Sequence, residues 1–178
     1  MEQVVLVDES DAPLGAEEKT AAHRAGLLHR AFSVFVFDGA GRLLLQRRAP
    51  GKYHSAGQWS NTCCGHPRPG EPLLQAARRR LREEMGFDCA LRPIGAYRYR
   101  AELDNGLTEN EIDQLLVGDS EGPPSPDPAE ASEWRWAEPE ALRREIAENP
   151  LRFTVWLRGC LAQALGAAPG KGTPPPGR

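Results

Sequence analysis

Three kinds of side chain able to do chemistry recur at informative intervals in this 178-residue chain. The run Trp59-Ser60-Asn61-Thr62-Cys63-Cys64-Gly65-His66-Pro67 carries two adjacent thiols and an imidazole. If it is extended, neighbouring side chains alternate between faces, so Cys64 and His66 share one face and Cys63 points to the other. Gly65 between them would let a ligand approach the backbone. His23, His29 and His66 are three of only four histidines. Glu109 and Glu111, two apart on an expected strand, share a face. Three imidazoles with two carboxylates suit a divalent ion of borderline-to-hard character, Mg2+, Mn2+ or Zn2+. Singly, each histidine reads more simply as a core or surface residue, and Glu109-Asn110-Glu111 as a solvated edge. The set gains weight from lying in the same chain as a thiol and a charged helix.

That helix is expected over Leu73 to Met85, with Leu74, Ala77, Leu81 and Met85 as its apolar stripe and Gly86 at its stop. Counted from Gly65, the pattern is five residues, Glu71, seven residues, then Arg79-Arg80-Leu81-Arg82-Glu83-Glu84-Met85-Gly86-Phe87. The pairs Arg79 with Glu83 and Arg80 with Glu84 would equally suit a plain surface helix. The whole pattern resembles the Nudix box, the loop-helix-loop by which Nudix proteins hold a divalent metal against a diphosphate. Arg80 departs from it, because hydrolases of that family usually carry Glu there. The exchange removes an oxygen ligand and adds a bidentate diphosphate donor. The box thus reads as kept for diphosphate binding and altered for chemistry.

The resemblance becomes specific in His23 and His29 ahead of Ala31-Phe32-Ser33, in Thr62 to Pro67, and in Tyr99-Arg100 ahead of Glu109-Asn110-Glu111. From Val4 to Leu165 the chain is similar to type I isopentenyl-diphosphate delta-isomerases, although the His23-to-His29 interval is a residue shorter than in many bacterial members. The resemblance implies interconversion of isopentenyl and dimethylallyl diphosphate, by adding and removing protons, in isoprenoid biosynthesis. It makes Cys64 and Glu111 the catalytic pair, with Tyr99 supporting the acid. It makes His23, His29, His66, Glu109 and Glu111 ligands of one divalent ion, Mn2+, Mg2+ or Zn2+. Glu84, helped by the Cys64 carbonyl, would hold a Mg2+ that bridges the diphosphate. Lys19, Arg48, Lys52 and Arg80 would bind the diphosphate, and Trp156 would face the reacting carbon. The rival readings are a Nudix-type diphosphate hydrolase, which should carry Glu at position 80 and has no need of Cys64, and a metal-stabilised binding module without turnover.

Composition narrows the classes. A formal charge of -3 and a pI of about 5.9 leave no basic footprint for nucleic acid. No apolar run approaches the roughly 20 residues of a membrane span, and no signal peptide is visible. A cytoplasmic monomer acting on a small-molecule isoprenoid diphosphate is expected. Four cysteines without a Cys-x-x-Cys suggest neither a disulfide framework nor a zinc ribbon. Of 22 basic residues only Lys19, Lys52 and Lys171 are lysines. In so Arg-rich a chain, Lys19 and Lys52 mark places where a compact ammonium suits better than a planar fork.

The elements that must position these groups follow from periodicity and breakers. Strands are expected at Gln3 to Val7, Ala31 to Phe37, Leu43 to Arg47, Ile94 to Leu103, Thr108 to Val117 and Trp134 to Ala137. Asp8 to Gly15 reads as a turn-rich connection, Asp38 to Gly41 and Asp104 to Gly106 as hairpin turns. Helices are expected at Glu17 to His23, Pro139 to Glu148 and Phe153 to Leu165. The loop from Ala49 to Gln58, with Lys52, Tyr53 and His54, has the length of a functional lid. Gly118 to Pro128 reads as a mobile connector. The fold class is α/β (α+β), a Nudix-like mixed-sheet sandwich flanked by helices. One domain would span 1–166, followed by a disordered Gly/Pro-rich tail at 167–178.

Overall fold

The segment Ala31–Phe37 is apolar at every residue but Ser33, and a strand apolar on both faces needs cover on both. In the computed structural model, which describes residues 2–103 and 105–168, it takes the centre of a nine-stranded sheet. The strands are β1 (Gln3–Val7), β2 (Pro13–Glu18), β3 (His29–Phe37), β4 (Leu43–Arg48), β5 (Trp59–Ser60), β6 (Cys63–Gly65), β7 (Leu91–Glu102), β8 (Thr108–Asp119) and β9 (Ala131–Ala137). The helices are α1 (Lys19–Ala25), α2 (Leu73–Met85), α3 (Pro139–Glu148) and α4 (Val155–Gly166). β3 runs parallel to β8, from His29 opposite Glu111 to Phe37 opposite Asp119, and antiparallel to β6.

Alternation along β3 sorts the core into two layers. Phe32, Val34 and Val36 pack with Leu116 beneath Ala76, Ala77, Leu81 and Met85 of α2. Phe35 and Phe37 pack with Leu115 and Val117 against Leu142 of α3 and Leu157, Leu161 and Leu165 of α4. The result is a mixed sheet between helices, the sandwich expected from the order of elements.

Several expectations need correction. Asp8 to Gly15 is not all turn. Asp11 takes φ +64°, and the chain returns as β2 along β1. The first helix starts at Lys19 rather than Glu17, because Glu18 is its N-cap and accepts from the Ala21 amide at 2.8 Å. Leu74 is exposed and Ala76 takes its place in the buried stripe, as the helix meets the sheet with its smallest residues. Gly65 lines the cavity, and its missing side chain also serves packing. A Cβ there would meet Phe32 Cζ at 3.1 Å and Arg80 Cγ at 3.3 Å, so the missing side chain admits α2 to the sheet. The last helix begins at Val155, because Phe153 is occupied in a bridge to Trp59. The 118–128 connector is tied down: β8 continues to Asp119, and the amides of Ser125 and Asp127 donate to the carbonyls of Met85 and Glu84 at 2.8 and 3.0 Å. Ala168 is buried, so the ordered chain passes 166, while the rest of the expected tail, 169–178, and Asp104 of the expected turn lie outside the described residues.

Candidate active site

Register decides which side chains meet. Ser33 sits opposite Cys64, and Val34 opposite Cys63. Cys64 therefore shares the face of β3 that carries His29 and Ser33, and Cys63 enters the apolar layer under α2. Parallel pairing of His29 with Glu111 brings Glu109, Glu111 and Asp113 onto that same face from the other side of β3. Tyr99 lies opposite Glu111 on β7, and its hydroxyl is 2.8 Å from Glu109 Oε2 and 2.7 Å from Glu111 Oε2. A phenol has one proton to give, so one carboxyl of the pair must be protonated to satisfy both contacts. Burial and then the charge of Glu111 raise Glu109 far above the ordinary carboxylate range. Burial also pushes Glu111 up, but the His29 and His66 rings beside it outweigh that and hold Glu111 well below that range.

The histidines are set by their backbone. α1 ends at Gly26 in the left-handed region, φ +62°, which leaves His23 in its last turn. His23 Nδ1 is 2.7 Å from the Lys19 carbonyl, and His29 Nδ1 is 2.8 Å from the Leu27 carbonyl. A carbonyl only accepts, so Nδ1 carries the proton in both rings and the neutral ring offers its Nε2 lone pair. Both Nε2 atoms are buried and find no hydrogen-bond partner. Glu111 Oε1 lies 3.8 Å from His23 Nε2, 3.3 Å from His29 Nε2 and 3.0 Å from His66 Nε2. The ligand atoms of His23, His29, His66 and Glu111 all fall within 4.8 Å of one another. Burial lowers His23 to about 4 and lowers His66 as well, which keeps both rings in the neutral form that binds metal. Converging lone pairs, orphaned buried nitrogens and carbonyl-fixed tautomers fit a divalent ion.

In front of this group lies a cavity lined by Lys19, Arg48, Lys52, Cys64, His66, Arg80, Glu84, Tyr99, Glu109, Glu111 and Trp156. His23 and His29 are fully buried behind its wall. The Trp156 indole is fixed by donating to Ser60 Oγ at 3.1 Å and Asn61 Oδ1 at 3.0 Å, and the Arg48 guanidinium lies 5.3 Å over its ring. Arg48 Nη1 is also 4.0 Å from Cys64 Sγ. Burial raises the Cys64 thiol to about 12, against the pull of Arg48. The outer cations are all turned onto carboxylates. Lys19 pairs with Glu2, and Lys52 with Glu130 at 2.5 Å. Arg80 reaches Glu84 at 2.6 Å, Glu83 at 2.8 Å and Glu130 at 3.2 Å. Glu84 is held from its other oxygen by Gln46, whose amide nitrogen is 2.8 Å away and also donates to the Thr62 carbonyl at 2.9 Å. Glu71 takes both arms of Arg79, at 2.7 and 2.8 Å, which ties the loop before α2 to the helix.

The NUDIX domain family matches residues 27–157 of the chain. A protein of Burkholderia multivorans named isopentenyl-diphosphate delta-isomerase is 55% identical over 165 residues, 93% of each chain. A protein of Aromatoleum aromaticum, named isopentenyl-diphosphate delta-isomerase 1, is 52% identical over 92% of this chain and 93% of its own. The chain belongs to the isopentenyl-diphosphate delta-isomerase family. Its fold is shared more widely. DR0079 from Deinococcus radiodurans superposes with a TM-score of 0.70 at 24% identity, covering 83% of this chain and 90% of that one.

Every residue that the family resemblance marked in the sequence reaches this one place. The short His23-to-His29 interval does no harm, since the two ring centroids lie 4.7 Å apart. Four neighbours were missed. His54, in the loop between β4 and β5, has its Nε2 3.3 Å from Glu109 Oε1. Asp113 lies on the Glu109–Glu111 face, accepts from Ser33 Oγ at 2.8 Å and keeps Oδ1 unpartnered. Period two from Glu111 could have found it. Glu2 comes from the segment before β1 and Glu130 from the connection before β9, and nothing local in the sequence points to them. Among the described residues, no helix is long and apolar enough to cross a membrane.

Proposed function

We propose that the protein interconverts isopentenyl and dimethylallyl diphosphate, with Cys64 and the Glu111–Tyr99 pair as the two proton-handling groups. The observation that carries this reading is the placing of a thiol on β6 and a carboxylate on β8, on either side of β3, in one cavity walled by Trp156. An unactivated alkene is a weak base, so the acid must be held against it. Addition of a proton gives a tertiary cation that water would trap, so the cavity must be dry. The indole face of Trp156 stabilises such a cation by about 2 kcal/mol when desolvated. Loss of a proton from the neighbouring carbon then completes the shift of the double bond. Because the reaction is reversible, the group that adds a proton in one direction removes it in the other. The diphosphate stays intact; its binding energy orients the alkene.

His23, His29, His66, Glu109 and Glu111 would hold one divalent ion, Mn2+, Mg2+ or Zn2+, whose charge fixes the two glutamates and sets their acidity. Glu84, with the Cys64 carbonyl, would hold a Mg2+ bridging the diphosphate. Lys19, Lys52 and Arg80 would exchange their present carboxylate partners for diphosphate oxygens, and Arg48, held by the His54 carbonyl, would bind the diphosphate beside them. A hydrolase would want a carboxylate at position 80, where Arg80 instead occupies the carboxylates around it. A single catalytic domain working as a monomer agrees with exposed large apolar residues that fall on six separate segments, at Leu14, Leu27, Tyr53, Leu74, Trp134 and Leu151. Free thiols at Cys63, Cys64, Cys89 and Cys160 suit the reducing cytoplasm.

The test is turnover after chelation. Protein stripped with EDTA should be inactive, and Mg2+ with Mn2+ should restore isomerisation. Activity that survives complete metal removal would contradict the reading.

A further inference from the structure

Behind the cavity there are two groups of converging donors rather than one. His23, His29, His66 and Glu111 form the first; His23, His54 and Glu109 form the second, also within 4.8 Å of one another, and His23 belongs to both. His54 stands in the 49–58 loop, yet its side chain is only 5% exposed. The Tyr53 and Trp156 rings meet it edge-on at 4.3 and 5.8 Å, and the His23 ring stacks at 6.1 Å. Its Nδ1 faces Ser55 Oγ at 3.2 Å, and its Nε2 faces Glu109 Oε1 at 3.3 Å. An imidazole lone pair and a carboxylate oxygen repel each other unless a proton or a cation lies between them. Ser55 is held at φ +49°, a conformation that a non-glycine residue keeps only where its surroundings demand it.

We propose that His54 is a sixth protein ligand of the buried metal ion, and that the ion thereby fastens the 49–58 loop over the cavity. The proposal rests on reading the His/Glu group as a metal site. Four imidazoles and two carboxylates suit a borderline first-row ion better than Mg2+. The same loop carries Lys52 and is anchored by Arg48, whose Nη2 donates to the His54 carbonyl at 3.1 Å. Filling the metal site would therefore place a diphosphate-binding cation, so ion and substrate bind cooperatively through this loop.

The experiment uses metal-free full-length protein refilled with Mn2+, without substrate. Pulsed electron paramagnetic resonance counts the imidazole nitrogens on the ion, and hydrogen exchange follows the loop amides. Wild type should show four coordinated imidazoles and slowed exchange at 50–58 on adding Mn2+. His54→Ala should show three, a Mn2+ affinity weaker by roughly 10-fold or more, and no slowing in the loop. Three imidazoles in wild type would overturn the proposal, and that count does not depend on the variant folding. Wild type that binds no Mn2+ at all would overturn the metal-site reading beneath it, a result distinct from binding with three.

Discussion

The rear and the rim of the cavity are built on opposite plans. At the rear, His23 Nε2, His29 Nε2 and Arg48 Nε are buried with no hydrogen-bond partner, each on a side chain or ring whose other atoms are anchored. At the rim, Lys19, Lys52 and Arg80 are all paired with carboxylates and about a fifth exposed. A buried unpaired polar atom costs about 1–3 kcal/mol, whereas the rim cations are already satisfied by carboxylates that an anion could replace. The rear therefore holds its groups in place at a cost that a bound ion would offset. In the proposed function, the rim cations would exchange their carboxylates for a diphosphate. The rear would take a resident ion, the rim an anion that comes and goes.

The largest expected effect tests the rear with a built-in control. Cys64→Ser should lose isomerisation by about 10³-fold while folding normally, within the range of acid–base catalysis. Cys63→Ser should keep most activity and instead lower the melting temperature, because its buried hydroxyl would lack a partner. Turnover and melting curves of both variants decide it. A dead Cys63→Ser beside an active Cys64→Ser would reverse the assignment of faces.

Removing the ion should separate the regions next. If the rear is strained without its ligand, saturating Mn2+ should raise the melting temperature of metal-free protein by roughly 5–11 °C at 100 times its dissociation constant. The rise should persist in Lys52→Ala and vanish in His29→Ala. Calorimetry that shows equal loss in both would erase the distinction between rear and rim.

At the rim, Arg80→Ala should raise KM by about 10- to 100-fold with little change in kcat, the size of a lost charge-assisted hydrogen bond. A fall in kcat with KM unchanged would move Arg80 into the chemistry.

The smallest effect lies outside both regions. Hydrogen bonds from Arg79 hold the Glu71 carboxyl at about 2, below its ordinary 4.5. A group depressed on folding stabilises the protein above its unfolded pKa, and that contribution is lost as pH falls through the folded one. Glu71→Gln should therefore be less stable by about 1.5–3 kcal/mol at pH 7, with the gap closing between pH 4.5 and about 2. Parallel melting curves across that range, with kcat unaltered at neutral pH, check it.

What the sequence made legible follows how far apart the cooperating residues stand. Alternation within Cys63-Cys64-Gly65-His66 placed each thiol correctly, because strand period is a local property. The face shared by Glu109 and Glu111 came out right for the same reason, and Asp113 was there to be read by extending it. His23 and His29 could be named from a motif, but their carbonyl-fixed tautomers depend on where Gly26 ends α1. Gly65 was read for ligand access alone, and its second use, admitting Arg80 of α2 against the sheet, depends on packing in three dimensions. Glu2 and Glu130 were illegible, and His54 was legible only as part of a lid-length loop, its place beside Glu109 depending on the path of the whole fold.

The central claim is that this cavity moves protons on carbon and leaves the diphosphate whole. Following isopentenyl diphosphate in D2O by proton and phosphorus magnetic resonance tests both halves at once. The expected result is dimethylallyl diphosphate with deuterium in a methyl group and an unchanged diphosphate signal. Release of phosphate or pyrophosphate as fast as the alkene signal disappears would contradict it.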